Sequence, residues 1–278
     1  MIDETSKIFD KDDFNLSIIM KKTKSIFWLL SILLLTFYSC SNDSEDNLKL
    51  LMKVVETNEK GTSETTVFTY NGNEIESVDG AQKSTAFTYR DGLITKMITL
   101  NKKNQLLETI EYSYLKGKLS EVQSIGNYRI NYIHNSDKTI SYERFTIISA
   151  NQQVKEFHGT LYLENENLIK DDRILDNVSA GVISSYSVSY DYDFKNNPLF
   201  HVTGFRELLN QNEKISLNNN LISTVITSVS KDDQIASSAI LYKSSFTYDL
   251  ENYPTERVSE TAIFANGNTG YMKTDYFY

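Results

Sequence analysis

Few residues of this chain belong to a recognisable chemical motif. Its three histidines, His134, His158 and His201, have no close histidine partner, and its single cysteine, Cys40, excludes an intrachain disulfide and a cysteine-based zinc site. The sequence also contains no phosphate-binding glycine loop, no zinc-protease motif and no serine-hydrolase elbow. It therefore predicts no catalytic residue, no cofactor, no metal site and no enzymatic activity.

Carboxylates are the remaining candidates for chemistry. Four oxygen-bearing side chains lie close together in sequence: Asp191, Asp193, Asn196 and Asn197. They could offer oxygen ligands to calcium, but the spacing is not that of an EF-hand, and an Asx-rich turn ended by Pro198 is favoured. We expect Asp171 and Asp172 in a loop. Two carboxylates acting together could hydrolyse a glycoside, although the sequence does not select a pair.

Cys40 is the one residue whose surroundings predict a specific modification. Residues 26–38 are uncharged, and lysines precede them. A spanning helix needs roughly 20 apolar residues, whereas a secretory signal needs a core of roughly 7–15. With Ser39 before Cys40, the segment resembles a bacterial lipoprotein signal, although Phe37 and Tyr38 depart from the usual Leu-Ala. The resemblance implies that the Cys40 sulfur is acylated; a plain secretory signal is the alternative.

The sequence divides into four segments. Met20 opens a lysine-rich start, so we interpret residues 1–19 as a gene-model extension and residues 20–39 as the signal peptide. Residues 40–48 are acidic and poor in apolar side chains, which predicts a solvated tether. This tether is similar to the acidic segment of surface-displayed lipoproteins of the Bacteroidota, or it is a simple spacer. Residues 49–278 are predicted to form one domain.

A hairpin-like repeat runs through this domain. Phe-Thr-Tyr occurs at 68–70, 87–89 and 246–248. Five positions after the tyrosine or leucine that ends each repeat, the chain has another large apolar residue. The pairs are Tyr70/Ile75, Tyr89/Ile94, Tyr114/Leu119, Leu163/Leu168, Leu217/Ile222 and Tyr248/Tyr253. Glycine and asparagine between them favour tight turns. A third apolar residue often follows three positions later, at Val78, Met97, Val122 and Val225.

The alternation of apolar and polar residues, together with the turn residues, predicts an all-β fold, an antiparallel up-and-down meander of repeated hairpins. We count roughly sixteen strands, and so large a sheet must curve or become barrel-like, because sheets twist. An integral outer-membrane barrel is the weaker alternative, because lipid-facing strands need apolar outer positions. The alternating partners here include charged residues: Glu74, Glu76, Lys96, Glu108, Glu121 and Arg129.

Several local motifs resemble a family of Flavobacteria-type surface lipoproteins of the Bacteroidota. They are the Cys40 signal, Phe-Thr-Tyr-Asn-Gly-Asn at 68–73, Asp-Gly-Leu-Ile-Thr-Lys at 91–96, Tyr-Asp-Tyr-Asp at 190–193 with Lys-Asn-Asn-Pro-Leu at 195–199, and Asn-Tyr-Pro-Thr at 252–255. The hairpins are more loosely similar to YD/RHS-type repeats of shell-forming proteins, without their Tyr-Asp-x-x-Gly motif. The resemblance implies fold and anchoring rather than an activity.

Net charge and aromatic content limit the classes of ligand that the protein could bind. The net charge of −9 argues against a nucleic-acid partner, since phosphate needs a basic surface. The 18 Tyr and 14 Phe could either present rings to a sugar or peptide or build the core, with Phe68, Phe87 and Phe246 at its centre. We expect a lipid-anchored outer-membrane lipoprotein, a non-enzymatic binding or structural module at the cell envelope with a glycan or protein ligand. A carboxylate-dependent glycoside hydrolase and an accessory subunit of a surface transport or secretion assembly are the alternatives.

Overall fold

The computed structural model describes residues 49–103, 105–263 and 269–278. Within these ranges the chain forms sixteen strands and one short 3-10 helix, Leu209–Ile215. The strands are β1 (Lys53–Asn58), β2 (Ser63–Asn71), β3 (Glu74–Asp79), β4 (Lys83–Arg90), β5 (Leu93–Asn101), β6 (Leu106–Leu115), β7 (Lys118–Ser124), β8 (Tyr128–His134), β9 (Ile140–Ser149), β10 (Gln152–Glu164), β11 (Asn167–Leu175), β12 (Val182–Asn196), β13 (Asn218–Lys231), β14 (Gln234–Tyr248), β15 (Pro254–Ile263) and β16 (Thr269–Phe277). In the part of the chain so described, no helix is long and apolar enough to cross a membrane.

The strands form one closed antiparallel barrel. Each strand pairs with the next along the chain, and β1 pairs with β16 to complete the circle. At this seam Lys53 lies opposite Phe277 and Asn58 opposite Met272. The predicted all-β meander and barrel-like sheet are confirmed, and the sheet closes fully.

A β-bulge explains the repeated spacing of five and then three residues. In the β2–β3 hairpin, Tyr70 lies opposite Ile75, and the register shifts between Thr69 and Tyr70, so that Glu76 is the extra residue. Without the bulge, Ile75 and Val78 would point to opposite faces, because a strand alternates every residue. The bulge returns both side chains to the inner face, where they join the core. The same shift accompanies three further pairs: Tyr89/Ile94, Tyr114/Leu119 and Leu163/Leu168.

Inward tyrosines tie neighbouring hairpins to one another. The Tyr114 hydroxyl donates to the carbonyl oxygen of Ile94 at 2.7 Å, and that of Tyr192 donates to the carbonyl of Leu168 at 2.7 Å. Equivalent bonds join Tyr70 to Leu51 and Tyr278 to Pro254. A buried phenol needs such a partner for its polar end. The second aromatic of the repeat therefore both fills the core and fixes the spacing between hairpins.

The connection between β12 and β13 crosses the lumen at the end of the barrel where the tight turns lie. We call residues 197–217 the crossing segment. Thr203 N–H donates to the Asn73 carbonyl in the β2–β3 turn at 2.9 Å, and Leu217 N–H donates to the Glu166 carbonyl in the β10–β11 turn at 3.1 Å. The segment is thus held by backbone bonds to turns that lie far apart around the barrel.

Apolar side chains of the crossing segment fill this end of the lumen. Val202, Phe205, Leu208 and Leu209 are buried in the same core cluster as the inner wall. Gly204 has φ +70°, and a Cβ there would lie 2.8 Å from the carbonyl oxygen of a glycine in the β4–β5 turn. The segment therefore closes the barrel at the end that also holds both termini of the domain.

The outer face carries charge at mid-height. Lys96 lies opposite Glu111 and forms a 2.8 Å ion pair with it; both point outward, since neighbouring Met97 packs in the core. Outward Glu143 forms a similar pair with Lys155 at 2.7 Å. Apolar side chains also point outward, and Val67, Ile133 and Ile174 are exposed there, so the outer face mixes charged with apolar residues. Of the charged residues expected on this face, Glu108 differs, because it accepts a hydrogen bond from the buried Ser124 and points inward.

Two local expectations were wrong. Asp171 and Asp172 lie within β11 rather than in a loop. Leu217 does not start a hairpin with Ile222, because it belongs to the crossing segment; Ile222 pairs with Asp191 instead. The Tyr248/Tyr253 spacing does flank a hairpin turn, that of β14–β15, where Tyr248 lies opposite Pro254.

Candidate functional site: a pocket in the barrel lumen

The histidines singled out from the sequence lie in three different surroundings. His134 ends β8 and its Nε2 lies 2.9 Å from the Leu119 carbonyl oxygen. His158 lies on β10 beside Asp176, with 2.9 Å between Nδ1 and Oδ2. His201 lies in the crossing segment. Cys40, the predicted lipidation site, is outside the described residues, as are the predicted segments 1–19, 20–39 and 40–48.

The oxygen-rich group lies on the last part of β12, which contains Asp191, Asp193 and Asn196, and Asn197 follows the strand directly. Asp193 Oδ1 accepts hydrogen bonds from the backbone N–H of Lys195 at 2.9 Å and of Asn219 at 3.1 Å. Its other oxygen accepts from the Tyr248 hydroxyl. Asn197 Oδ1 accepts from a backbone N–H two residues on. The oxygens are used by the chain itself, and the described residues contain no group of three metal-ligating side chains.

The aromatic residues mainly build the interior. Phe68 is buried, and Phe87 packs against the core. Phe246 lies outside this cluster and stacks on Tyr248 with 5.9 Å between ring centroids. The inner tyrosines continue toward the open half of the lumen, and there several of them line a pocket.

The pocket has a volume of about 170 Å³ and lies between the β8–β11 wall and the crossing segment. Tyr128, Tyr132, Tyr142 and Phe157 supply its aromatic wall, and Leu209 with Asn210 supplies its floor. The volume equals that of about six water molecules, at roughly 30 Å³ each. It is smaller than the several hundred Å³ of a drug-sized site, so it suits one small molecule.

A buried ion pair lies deepest in this pocket. Asp171 on β11 is 0 % exposed. Its Oδ1 accepts from the Tyr142 hydroxyl at 2.5 Å, and its Oδ2 accepts from Arg173 Nη2 at 2.5 Å and Nε at 3.0 Å. Arg173 Nε also donates to the Tyr142 oxygen at 2.8 Å. Carboxylate, phenol and guanidinium therefore form one closed triangle.

Gly159 on β10 makes room for this triangle. It lies opposite Tyr142 on β9 and opposite Arg173 on β11, so the three share one inward level. A Cβ at Gly159 would lie 2.5 Å from the carbonyl oxygen of Asp172 and 2.7 Å from two ring carbons of Tyr142. With no side chain between them, the phenol and the guanidinium meet across the middle strand.

Aromatic rings surround the arginine. The Arg173 guanidinium lies 5.2 Å from the Phe157 ring centroid and 5.0 Å from that of Tyr186. Tyr142 stacks on Tyr132 at 5.8 Å and meets Phe157 edge-on at 6.0 Å. Such cation–π and ring–ring contacts hold the side chains in fixed positions.

A second arginine lies at the mouth of the pocket. Arg144 on β9 lies over the Tyr128 ring at 3.9 Å and forms a 2.6 Å ion pair with Glu156. Tyr128 begins β8 at the end of the barrel opposite the termini, and the side chain of Arg144, in the middle of β9, remains 29 % exposed. The pocket therefore deepens from a part-exposed mouth at that end toward buried Asp171.

The pocket groups have fixed charges near neutral pH. Burial raises the pKa of Tyr132 and Tyr142 far above the usual range, and the Asp171 charge adds to this. Burial alone would lower the pKa of Arg173, but its hydrogen bond to Asp171 and the charge of that carboxylate raise it overall. The tyrosines stay neutral and the arginine stays charged, so none of the three is suited to act as a general base near neutral pH.

Sequence reasoning missed Asp171, although the repeat contained a signal for it. Asp171 follows Leu168 by three residues, the spacing that places Val78, Met97 and Val122 on the inner face of their hairpins. An acidic residue at a position that is otherwise apolar marks a buried charge in need of a partner. Nothing in the sequence links it to Tyr142, which β10 separates from β11.

Comparison with known proteins finds a similar fold but assigns the chain to no family. Neither a protein-family model nor a curated protein matches this chain. The barrel is similar in fold to a porin-like protein from Bacteroides vulgatus. The two share 14 % identity with a TM-score of 0.51, over 83 % of this chain and 99 % of that one. A porin-like protein from Bacteroides uniformis matches 82 % of this chain and 96 % of its own at 12 % identity, with a TM-score of 0.48.

Proposed function

We propose that this protein is a lipid-anchored, non-enzymatic binding module at the outer membrane, and that the lumenal pocket is its binding site. The observation that carries the proposal is that the pocket is blind. Its mouth is at one end of the barrel, and the crossing segment with its buried apolar side chains forms the floor. A cavity open at one end and lined by fixed aromatic and polar groups suits retention of a small molecule.

The pocket geometry favours binding over hydrolysis. A glycosidase needs two carboxyl groups about 5–9.5 Å apart, one on each side of the bond. Of the residues that line the pocket, Asp171 alone is acidic. Its oxygens are taken up by Tyr142 and Arg173, and it has no exposure to solvent. The carboxylate therefore supports the wall rather than acting on a substrate.

Two observations support attachment by a lipid rather than insertion of the barrel. The outer face carries ion pairs at mid-height, such as Lys96 with Glu111. Cys40 follows a signal-like segment and lies nine residues before Lys49 in the sequence. Nine residues reach roughly 30 Å at about 3.3–3.6 Å each. Lys49 itself forms ion pairs at the β14–β15 turn, on the closed end of the barrel.

The test is capture of a small molecule through the pocket. The full-length protein is incubated with a small-molecule and oligosaccharide extract of the cell envelope and analysed by native mass spectrometry. We expect a bound mass that Asn210→Trp abolishes, because the larger ring fills the floor, and that Asn131→Trp on the outer face of β8 leaves in place. A ligand bound equally by both variants, or recovered in cleaved form, would refute a non-enzymatic lumenal site.

A further inference from the structure

We infer that the ligand is a small neutral polyhydroxyl ring, a single sugar unit, held between the aromatic wall and Asn210. This inference rests on the proposed function, since it names the class of molecule that the pocket would hold. It follows from the charge balance of the pocket, from an under-satisfied amide at its floor and from its size.

The charges of the pocket are already balanced. Arg173 is neutralised by Asp171 at 2.5 Å, and Arg144 by Glu156 at 2.6 Å. A charged ligand would have to lose its hydration in a site that offers no unpaired counter-charge, and that penalty is large. A neutral ligand avoids it and still meets polar groups around the wall.

The Asn210 amide is only partly satisfied by hydrogen bonds. It lines the pocket at the start of the 3-10 helix, and within the described ranges its side chain makes one long hydrogen bond, from Nδ2 to the Tyr112 hydroxyl at 3.5 Å. Its Oδ1 has no donor among the described residues and no accessible surface of its own, so the side chain must rotate to turn this oxygen toward a ligand. An unsatisfied buried amide is costly, so a ligand that donates a hydrogen to Asn210 would gain from satisfying it.

The rest of the wall matches the other features of a sugar. A sugar ring has hydroxyl groups at its rim, which both donate and accept, and C–H groups on its faces. Arginine and phenol hydrogens on the wall can meet the acceptors, while Tyr128 and Phe157 offer rings to the faces. The volume of about 170 Å³ fits one such ring, and the closed floor lets a chain enter by one terminal unit only.

The experiment measures binding of defined probes by isothermal titration calorimetry. The full-length protein is held in a detergent without a sugar headgroup and titrated with D-glucose, D-galactose, D-mannose and N-acetyl-D-glucosamine. D-glucuronate tests a charged ring of the same shape, and N-acetylglycinamide tests a peptide-like amide. We expect one site per chain for at least one neutral sugar and no binding of the other two probes.

Variants test whether the measured heat comes from a sugar bound in the pocket. Asn210→Ala removes the under-satisfied amide and should weaken the binding of the sugar by about two- to tenfold, the effect of losing one hydrogen bond. Asn131→Ala, the same substitution on the outer face, should leave the affinity unchanged. Tyr128→Leu, which removes a ring at the mouth, should also weaken binding, and circular dichroism checks that each variant is folded.

The outcomes separate this inference from the proposed function. If no neutral sugar binds, or if Asn210→Ala binds as tightly as the parent, the sugar inference is wrong. If D-glucuronate or the amide binds instead and depends on Asn210, the ligand class is wrong while the pocket remains the binding site. If no probe binds and the envelope extract also yields no pocket-dependent mass, both proposals fail.

Discussion

The Asp171–Arg173 pair makes an asymmetric prediction for stability. Asp171 is completely buried and accepts three hydrogen bonds, two of them from Arg173. Arg173→Met removes those two and the counter-charge, and leaves a carboxylate with only the Tyr142 hydroxyl. Breaking a buried pair in this way costs about 3–5 kcal/mol. We expect a loss of that size in the free energy of unfolding.

The reverse change should cost less. In Asp171→Val the Arg173 side chain, 26 % exposed, can still reach water and keeps its contacts with Phe157 and Tyr186. The loss should be about 1–3 kcal/mol, the cost of its charged hydrogen bonds. The double variant carries no buried charge and has an apolar residue at this repeat position, so it should lie within about 1 kcal/mol of the parent.

The assay is equilibrium unfolding in urea, followed by circular dichroism, on the two single variants and the double. The expected values give a coupling of at least about 3 kcal/mol between the two sites. Lys170→Met on the outer face of the same strand, which breaks an exposed pair with Asp172, is the control and should change stability by less than about 1 kcal/mol. Equal losses in the two single variants, or a double variant as unstable as their sum, would refute the reasoning.

Three further predictions follow from other parts of the molecule. Gly159→Ala, whose Cβ overlaps a backbone oxygen and a packed ring, should destabilise the barrel by about 1–3 kcal/mol or more, whereas Gly80→Ala, with ordinary contacts near 3.7 Å, should be close to neutral in the same unfolding assay. Burial raises the pKa of Tyr89 and Tyr112 to about 12, so their protons stay bound in the fold above pH 10, where unfolded tyrosines ionise. The stability they contribute is complete below about pH 10 and is lost as pH rises toward 12; tyrosinate absorbance and circular dichroism measured together should show ionisation coupled to unfolding, and free ionisation at pH 10 in the folded protein would contradict this. Cys40→Ala should move the protein from the membrane fraction to the soluble fraction and remove an acyl-bearing N-terminal peptide in mass spectrometry; an unchanged membrane fraction would argue against lipidation.

The repeat predicted the fold because its information is local. A tyrosine and an apolar residue five positions later span a two-residue turn, so each hairpin could be recognised without knowledge of the others. Counting these hairpins then gave the number of strands. Closure could not be derived in the same way, because β1 and β16 meet over more than 200 residues and share no turn. The barrel form followed from the twist of large sheets, but the seam itself is visible only in the structure.

The pocket could not be predicted from the sequence for a related reason. Tyr142 and Asp171 lie 29 residues apart on strands that do not pair, and they meet only because Gly159 leaves space between them. The repeat frame places Asp171 on the inner face, but it does not say which inward residue of another strand lies at the same height. The position of Asn210 was even harder to predict, since this residue belongs to a connection that has no strand pattern.

The crossing segment and the pocket have a common physical origin in the width of the barrel. Side chains alone fill the interior of a barrel of about eight strands, and sixteen leave a wider lumen. At the closed end the inward residues are apolar, as Ile75 and Leu168 are, and an open lumen there would expose them to water. An apolar segment must therefore lie across that end. Toward the other end the inward residues become polar, as Glu108 and Arg144 are, and no such filling is required. The pocket lies where the two levels meet, so a change that loosens the crossing segment should open the floor of the pocket before it unfolds the wall.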